Sequence, residues 1–544
     1  MKLSRDKSTW TLVDLVRRQG KAHGEREYMS FEHGTSLTFA GLDRQSDELA
    51  RVLATFDVGT GDRVLALVKN RIEFMIMMIA TQKLGAIFVP INTELKGAFL
   101  QHQLKNAEPR VVFVDTELAD AFDGVEAGEA PIAAAVFVAG GVPANVPAVF
   151  NKVRQLTYEQ FVGMEPAPAD VLVEPGPHDI ACIMYTSGTT GPSKGVLMPH
   201  AHVYLFALGT VEVLNLSTED RYYVSMPLFH INALGMQVLG SLMAGAWIYC
   251  VERFSPNRWL DDVRTSGATV TNALGVMPEF IFRTEPTPND RDNRLSRIMA
   301  VPIAAEWGEA FEKRFGLKII QGFGMTECNI PCYTQPDDPL LPGCAGHVLD
   351  EFFEVRVVDP DNDEPLPVGQ TGEIVIRPTE PGCFMQGYFR MPDRTVEAWR
   401  NLWFHTGDAG RFDEDGRLFF IDRIKDCIRR RGENISAFEV EQVLNNHPSV
   451  AESAVIGVKV EGAGGEEEVK ALVVADAGAN IDNVGLLDFC VERIPRYAVP
   501  RFVELVGELP KTATGKIQKQ ALREAGLTQH TWDRESVGYK IARR

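Results

Sequence analysis

Short apolar runs alternate with longer stretches whose apolar positions recur at helical spacing, from the amino terminus to about residue 420. Residues 63–68 predict a strand, 74–80 the start of a helix and 86–90 the next strand, and 111–114 and 134–138 extend the alternation. Parallel strands need crossover connections, so this rhythm implies α/β layers with mostly parallel sheets. From 233 to 251 the chain is apolar except for Gln237, Ser241 and scattered glycines, long enough to imitate a membrane span. Gly245 divides it, predicting a buried helix to about Ala244 and a buried strand over 246–250. The Pro/Ala/Glu-rich run 165–177 reads as a surface connection.

Past residue 420 the rhythm changes. The turn Asp413-Glu-Asp-Gly416 leads into a strand over 417–421. Ser436 and Glu439 have capping-box spacing and predict a helix through Val440, Val443 and Leu444. Strands over 453–458 and 469–474 and a helix near 486–493 complete a smaller α+β unit. With 544 residues the chain exceeds what one core supports.

Hydrophobic residues make up 45% and charged residues 24%, an ordinary globular balance. The formal charge of −19 argues against a nucleic-acid surface, because phosphate backbones are bound through Lys and Arg. Residues 1–10 lack the apolar core of a signal peptide, and Lys540-Ile-Ala-Arg-Arg544 carries no peroxisomal or lipidation signal. A cytoplasmic location and no integral membrane segment are therefore expected. Eight cysteines without a Cys-x-x-Cys pair read as free buried thiols rather than metal or disulfide sites.

The chemistry concentrates in Tyr185-Thr-Ser-Gly-Thr-Thr-Gly-Pro-Ser-Lys-Gly195. Three glycines, several hydroxyls and a lysine in one loop can turn backbone N–H groups, hydroxyls and an ammonium onto phosphate oxygens. No Gly-Lys-Ser/Thr tripeptide closes it, and 196–198 predicts a strand ended by Pro199, so the expected order is strand, phosphate loop, strand. Four further motifs follow: Gln321-Gly-Phe-Gly-Met-Thr-Glu327, His405-Thr-Gly-Asp408, Asp422-Arg-Ile-Lys-Asp426 with Arg431-Gly-Glu-Asn-Ile-Ser436, and Pro510-Lys-Thr-Ala-Thr-Gly-Lys516.

In this order the motifs resemble those of the adenylate-forming superfamily: acyl-CoA synthetases, coumarate–CoA ligases, nonribosomal adenylation domains and firefly luciferase. The resemblance spans nearly the whole chain. It implies a large α/β domain over 1–422 and a small mobile α+β lid over 423–544, hinged near 422–426. It also implies an AMP-forming acid–CoA ligase using ATP, Mg²⁺ and CoA on a small-molecule carboxylic acid, with a homodimer as a further expectation.

By the same resemblance, Thr186, Ser187, Gly188, Thr189, Thr190, Gly191 and Lys194 hold the phosphates, and Thr189 and Glu327 share the metal. Thr326 meets the α-phosphate. Gly322, Phe323 and Gly324 border adenine, Phe323 standing where a tyrosine is usual. Asp408 and Arg423 take the ribose, Arg429 the phosphates, and Lys516 bridges the attacking carboxylate and the α-phosphate. Gly432 belongs to a loop lining the thiol tunnel, Lys425 matches the hinge residue, and His230 stands between acyl pocket and tunnel. The segments 315–327 and 431–436 look most like carnitine/crotonobetaine–CoA ligases and medium-to-long-chain acyl-CoA synthetases. A quaternary ammonium would want an aromatic cage, for which Tyr222, Tyr223 and Phe229 are candidates.

The chain departs from the resemblance at Met299-Ala-Val-Pro-Ile303, where Val301 replaces a smaller residue and narrows the wall against a bulky aryl acid. Two other functions stay open: an adenylation enzyme that loads a carrier protein, and a silent nucleotide-binding regulator. The presence of Lys194, Glu327, Asp408 and Lys516 argues against the second.

Overall fold

The computed structural model describes residues 5–186, 193–275, 277–301, 303, 307–424, 427–430, 433–460, 467–494, 496, 498–511 and 517–539. The chain divides into two compact units, Met1–Val355 with Ile376–Phe404, and Arg356–Val375 with His405–Arg544.

The first unit is layered α/β. One sheet runs Lys318–Ile320, Arg297–Val301, Val270–Leu274, Arg221–Val224, Trp247–Cys250, Glu27–Phe31 and Ser36–Thr38, with the last strand alone antiparallel to its neighbour. A second sheet holds Ile87–Pro90, Arg63–Leu67, Val111–Asp115, Ala134–Val138 and Arg154–Thr157 in parallel, with Ile180–Thr186 beside Ile87–Pro90. Lys194–Pro199 and Gly387–Tyr388 close its far edge antiparallel. These strands read as continuous apolar runs because both faces are covered. The helix Ile72–Gln82 is buried on every side from Phe74 onward, and His200–Val213 nearly so. Helices apolar all round are at home only between packed layers. A second core gathers Trp259, Phe311, Phe315 and Ile298 under the first sheet. Each large apolar side chain buried there contributes about 1.5–3 kcal/mol.

The apolar stretch from 233 resolves as expected into a helix, a left-handed Gly245 (φ 70°) and the strand Trp247–Cys250. Its first half, Asn232–Val238, winds as a π-helix. Among the described residues no helix is long and apolar enough to cross a membrane.

The second unit contains the hairpin of Phe404–Phe412 with Leu418–Arg423, and a short hairpin of Cys427–Arg430 with Glu433–Ser436. It also contains a four-stranded sheet of Val450–Lys459, Glu467–Ala475, Phe502–Leu505 and Trp532–Asp533. Helices Ala437–Asn445 and Asn483–Val491 pack on that sheet through Val440, Leu444, Leu486 and Leu487. The helix at Ala437 begins where capping spacing placed it. Its Phe438 amide donates to Asp422 Oδ2 at 2.9 Å, while the side chains of Ser436 and Glu439 lie outside the described residues. The seven cysteines whose side chains are described are buried, and burial pushes the Cys182 and Cys490 thiols up to about 12.

Candidate active site

Several site candidates of the first unit leave the carboxyl ends of parallel strands. His230 follows Arg221–Val224, Val301 ends its own strand, and Phe323, Thr326 and Glu327 follow Lys318–Ile320. In open α/β sheets, ligands bind in the crevice outside those ends. The segment carrying His230 is clamped by Asn70: its Nδ2 donates to the carbonyls of Met226 and Val251, each at 3.0 Å, and its Oδ1 accepts from Leu228 N at 2.8 Å. His230 packs on Phe229 with ring centroids 4.5 Å apart, and the residue reaches solvent. Desolvation by the surrounding protein lowers its pKa, so the ring is neutral at neutral pH.

The loop 187–192 is carried by a β-hairpin. Thr186 pairs with Lys194 at its base, and Gly195 is required because a Cβ there would lie 2.8 Å from Ile183 Cγ2. The helix Gly97–Ala107 anchors the loop's exit, through Gln103 Nε2 donating to Ser193 Oγ at 3.0 Å and His102 bonding Ser193 O at 2.9 Å. Ser187, Gly188, Thr189, Thr190 and Gly191 lie outside the described residues.

Lys194 and Glu327 meet on one phenol that sequence reasoning missed. Lys194 Nζ donates to Tyr388 Oη at 3.2 Å and sits 4.2 Å from the ring centroid. Tyr388 Oη donates to Glu327 Oε1 at 3.0 Å, and both Tyr388 and Glu327 are buried. Burial, with the Glu327 carboxylate beside it, raises the phenol's pKa far above the ordinary value, so it stays a donor. Glu327 Oε2 has no bond to a described side chain, and Met385 N holds the Glu327 carbonyl at 3.0 Å.

Three more residues shape the Thr326–Glu327 turn. Asn329 takes a left-handed conformation (φ 67°), donates to His202 O at 2.9 Å and accepts from Ile330 N. Across this turn Gly324 has no room for a side chain: a Cβ would run into the Asn329 carbonyl and lie 3.0 Å from Ile330 Cα. The buried His202 ring spans the carbonyls of Thr326 and Cys383, with Nε2 at 2.9 Å and Nδ1 at 3.0 Å. Burial pushes its pKa down to about 4, so the neutral ring donates to only one of them. Phe323 is buried and Gly324 exposed at the surface of the turn.

In the second unit, Asp408 and Arg423 are paired across their hairpin, with Arg423 Nε 2.8 Å from Asp408 Oδ1. Asp408 is buried while Arg423 is partly open. The turn before Asp408 is held by Glu373, which accepts from Gly407 N at 3.0 Å and bonds His405 Nδ1 at 2.8 Å. Gly407 has φ 70°, a conformation that favours glycine. Arg429 pairs with Asn434 through its backbone, and its side chain lies outside the described residues, as do Lys425, Gly432 and Lys516.

The aromatic cage is not formed. Tyr222 and Tyr223 are fully buried on opposite faces of Arg221–Val224, as adjacent residues of a strand must be, and Phe229 is buried too. Tyr222 bonds Asn272, while Tyr223 Oη donates to Asp262 Oδ2 at 3.1 Å.

Of the residues missed, Tyr388 and Asn70 carry no local signal. Asn329 had one: an Asn three residues after Thr326 in a tight turn tolerates the left-handed conformation.

A family model described as AMP-binding enzyme matches residues 16–389, and one described as AMP-binding enzyme C-terminal domain matches 439–516. The chain is 28% identical over 509 residues to a crotonobetaine/carnitine–CoA ligase of Salmonella paratyphi B, covering 92% of this chain and 96% of that protein. Among solved structures, ATP-bound MatB from Rhodopseudomonas palustris aligns with a TM-score of 0.80 at 27% identity, covering 97% of this chain and 100% of its own. The o-succinylbenzoate coenzyme A synthetase of Bacillus subtilis in complex with AMP aligns with a TM-score of 0.79 at 25% identity, covering 94% and 99%.

Proposed function

The chain belongs to the AMP-binding enzyme family, and from that premise we propose how its residues divide the work of an acid–CoA ligase. The enzyme activates a carboxylic acid with ATP and passes the acyl group to CoA. In the first step a carboxylate oxygen attacks the α-phosphorus and the bond to pyrophosphate breaks. In the second the CoA sulfur attacks the acyl carbon, and the bond to AMP breaks with the electron pair leaving on the phosphate. Phosphoryl transfer of this kind needs positioning and charge neutralisation rather than a protein nucleophile.

The observation that carries the division of roles is the Lys194–Tyr388–Glu327 chain. A cation and a buried carboxylate are held 3.2 and 3.0 Å from one phenol, at the foot of a loop rich in N–H groups and hydroxyls. Lys194 and the loop 186–191 would neutralise the β- and γ-phosphates. Glu327 fits Mg²⁺: it is one hard oxygen donor, oriented by Tyr388, with Oε2 unengaged by described side chains. Mg²⁺ keeps most of its shell as water and phosphate oxygens, so one carboxylate and the Thr189 hydroxyl suffice. When bound, the ion would neutralise charge on the departing pyrophosphate.

Thr326, its carbonyl steadied by His202, would donate through its hydroxyl to the α-phosphate, with Phe323, Gly322 and Gly324 against adenine. Asp408 would accept from the ribose hydroxyls, oriented by Arg423. Lys516 would bridge the attacking carboxylate and the α-phosphate, Arg429 would approach the phosphates, and the Gly432 loop would line the thiol path. His230, neutral, would border the acyl group. We place the functional boundary at 422/423 with Lys425 as pivot, and the enzyme in the cytoplasm.

The test is a panel of carboxylic acids assayed for nucleotide products with and without CoA. AMP and pyrophosphate with acyl-CoA are expected. ADP as stoichiometric product would overturn the assignment, and acid-dependent pyrophosphate exchange without acyl-CoA would point to a carrier protein as acceptor.

A further inference from the structure

From His230 to Met243 the chain reaches solvent only at His230, Ile231 and Asn232. The π-helical turn Asn232–Val238 is a rare conformation found mostly at functional sites. Its wide turn brings residues five apart together, and Gln237 Nε2 donates to Asn232 Oδ1 at 2.9 Å. Asn272 Nδ2, from the strand Val270–Leu274, donates to the same oxygen at 3.0 Å. Asn272 Oδ1 in turn accepts from the hydroxyl of Tyr222.

Two thioethers settle which way the amides face. Asn232 Nδ2 lies 3.1 Å from Met236 Sδ, and Gln237 Nε2 lies 3.4 Å from Met226 Sδ. A thioether accepts hydrogen bonds and cannot donate, so nitrogen faces each sulfur. The relay therefore runs one way, from Tyr222 through Asn272 to Asn232. The Asn232 oxygen is filled by two donors, while its NH₂ has, among the described residues, one weak sulfur acceptor and a hydrogen to spare. Tyr222, Gln237 and Asn272 are buried; of the relay only Asn232, two residues after His230, is partly exposed.

Burying three polar side chains behind one amide is costly against an apolar wall, and the two donors on its oxygen fix how the Asn232 amide faces. A purely alkyl acyl chain would meet that N–H with nothing to accept from it. A second carboxylate would gain no charge pairing from these residues, since the relay is uncharged and His230 is neutral at neutral pH. We propose that Asn232 is a specificity-determining residue whose N–H reads a neutral oxygen acceptor, so that the preferred substrates are hydroxy- or oxo-carboxylic acids. This rests on the reading above that the acyl group lies beside His230.

The test compares matched acids of four to eight carbons, unsubstituted or carrying a hydroxyl or oxo group at carbon 2, 3 or 4, by AMP release with ATP and CoA. Wild type should favour an oxygenated acid over its unsubstituted parent by about tenfold or more in kcat/KM. Asn232→Asp keeps an oxygen for Gln237 and Asn272 but turns the outward donor into an acceptor. It should lose the preference for oxo acids, which only accept, and retain it for hydroxy acids, which can donate. Asn232→Leu should lose both preferences. AMP formation with unsubstituted acids preferred at every length would leave the ligase standing and overturn the inference. An unchanged oxo preference in Asn232→Asp would overturn it too. No AMP with any acid would remove the ligase reading and the inference with it.

Discussion

Replacing Tyr388 by Phe probes the junction of Lys194 and Glu327 with one atom. The ring stays beneath the Lys194 ammonium, 4.2 Å from its centroid, and the Tyr388 amide keeps its bond to Thr395 Oγ1 at 2.9 Å. What goes is the hydroxyl that donates to Glu327 at 3.0 Å and accepts from Lys194 at 3.2 Å. A hydrogen bond to a charged group is worth about 1.5–3 kcal/mol, and Glu327 is buried from bulk solvent. At about 1.4 kcal/mol per decade, adenylation should fall roughly 10- to 100-fold in kcat/KM for ATP. Acid-dependent pyrophosphate exchange measures this step, while thioester formation from supplied acyl-adenylate needs no triphosphate and should stay within about twofold. Tyr388→Leu should cost a further few-fold through the lost cation–π contact, worth about 0.5–2 kcal/mol. Exchange within twofold of wild type for Tyr388→Phe, or equal losses in both half-reactions, would refute the claim that this phenol organises the phosphate end of the site.

Gly324→Ala drives a methyl into the Asn329 carbonyl and should lower stability by about 2–3 kcal/mol, read as a shift of the urea midpoint, with a raised KM for ATP; a wild-type midpoint would mean the turn yields freely. His200 and His202 are buried with pKa values pushed down to about 4 from an ordinary 6.5. Their folded-state pKa is depressed, so the stability they contribute is present above about pH 6.5 and lost as pH falls toward 4, on the order of 2–3 kcal/mol each. Urea unfolding at pH 7, 5.5 and 4.5 should show this loss, with a shallower slope in His202→Asn; equal slopes in variant and wild type would remove His202 from the acid-labile groups.

Much of the local structure was legible from residue pattern. The strand–loop–strand around 185–199, the break at Gly245 and the helix opening at Ala437 follow from apolar runs, glycine and capping spacing, whose causes act within a few residues. The Tyr222–Tyr223 pair was legible in principle, because neighbours on a strand cannot share a face. Other features depended on partners far along the chain. Tyr388 meets Lys194 across 194 positions, Asn70 clamps Leu228 across 158, and Asn329 reaches His202 across 127. Nothing in the neighbourhood of Asn70 or Tyr388 distinguishes it from any other polar residue ending a strand. Segment 356–375 joins the second compact unit although 376–404 returns to the first, an exchange no composition shift marks. The direction of the amide relay ending at Asn232 was likewise decided by tertiary packing, since only the two thioethers and the Tyr222 hydroxyl orient it. Periodicity reports which face of an element is apolar; which element covers that face, and which polar atom is left pointing at a substrate, is set by contacts between residues that sequence order keeps apart.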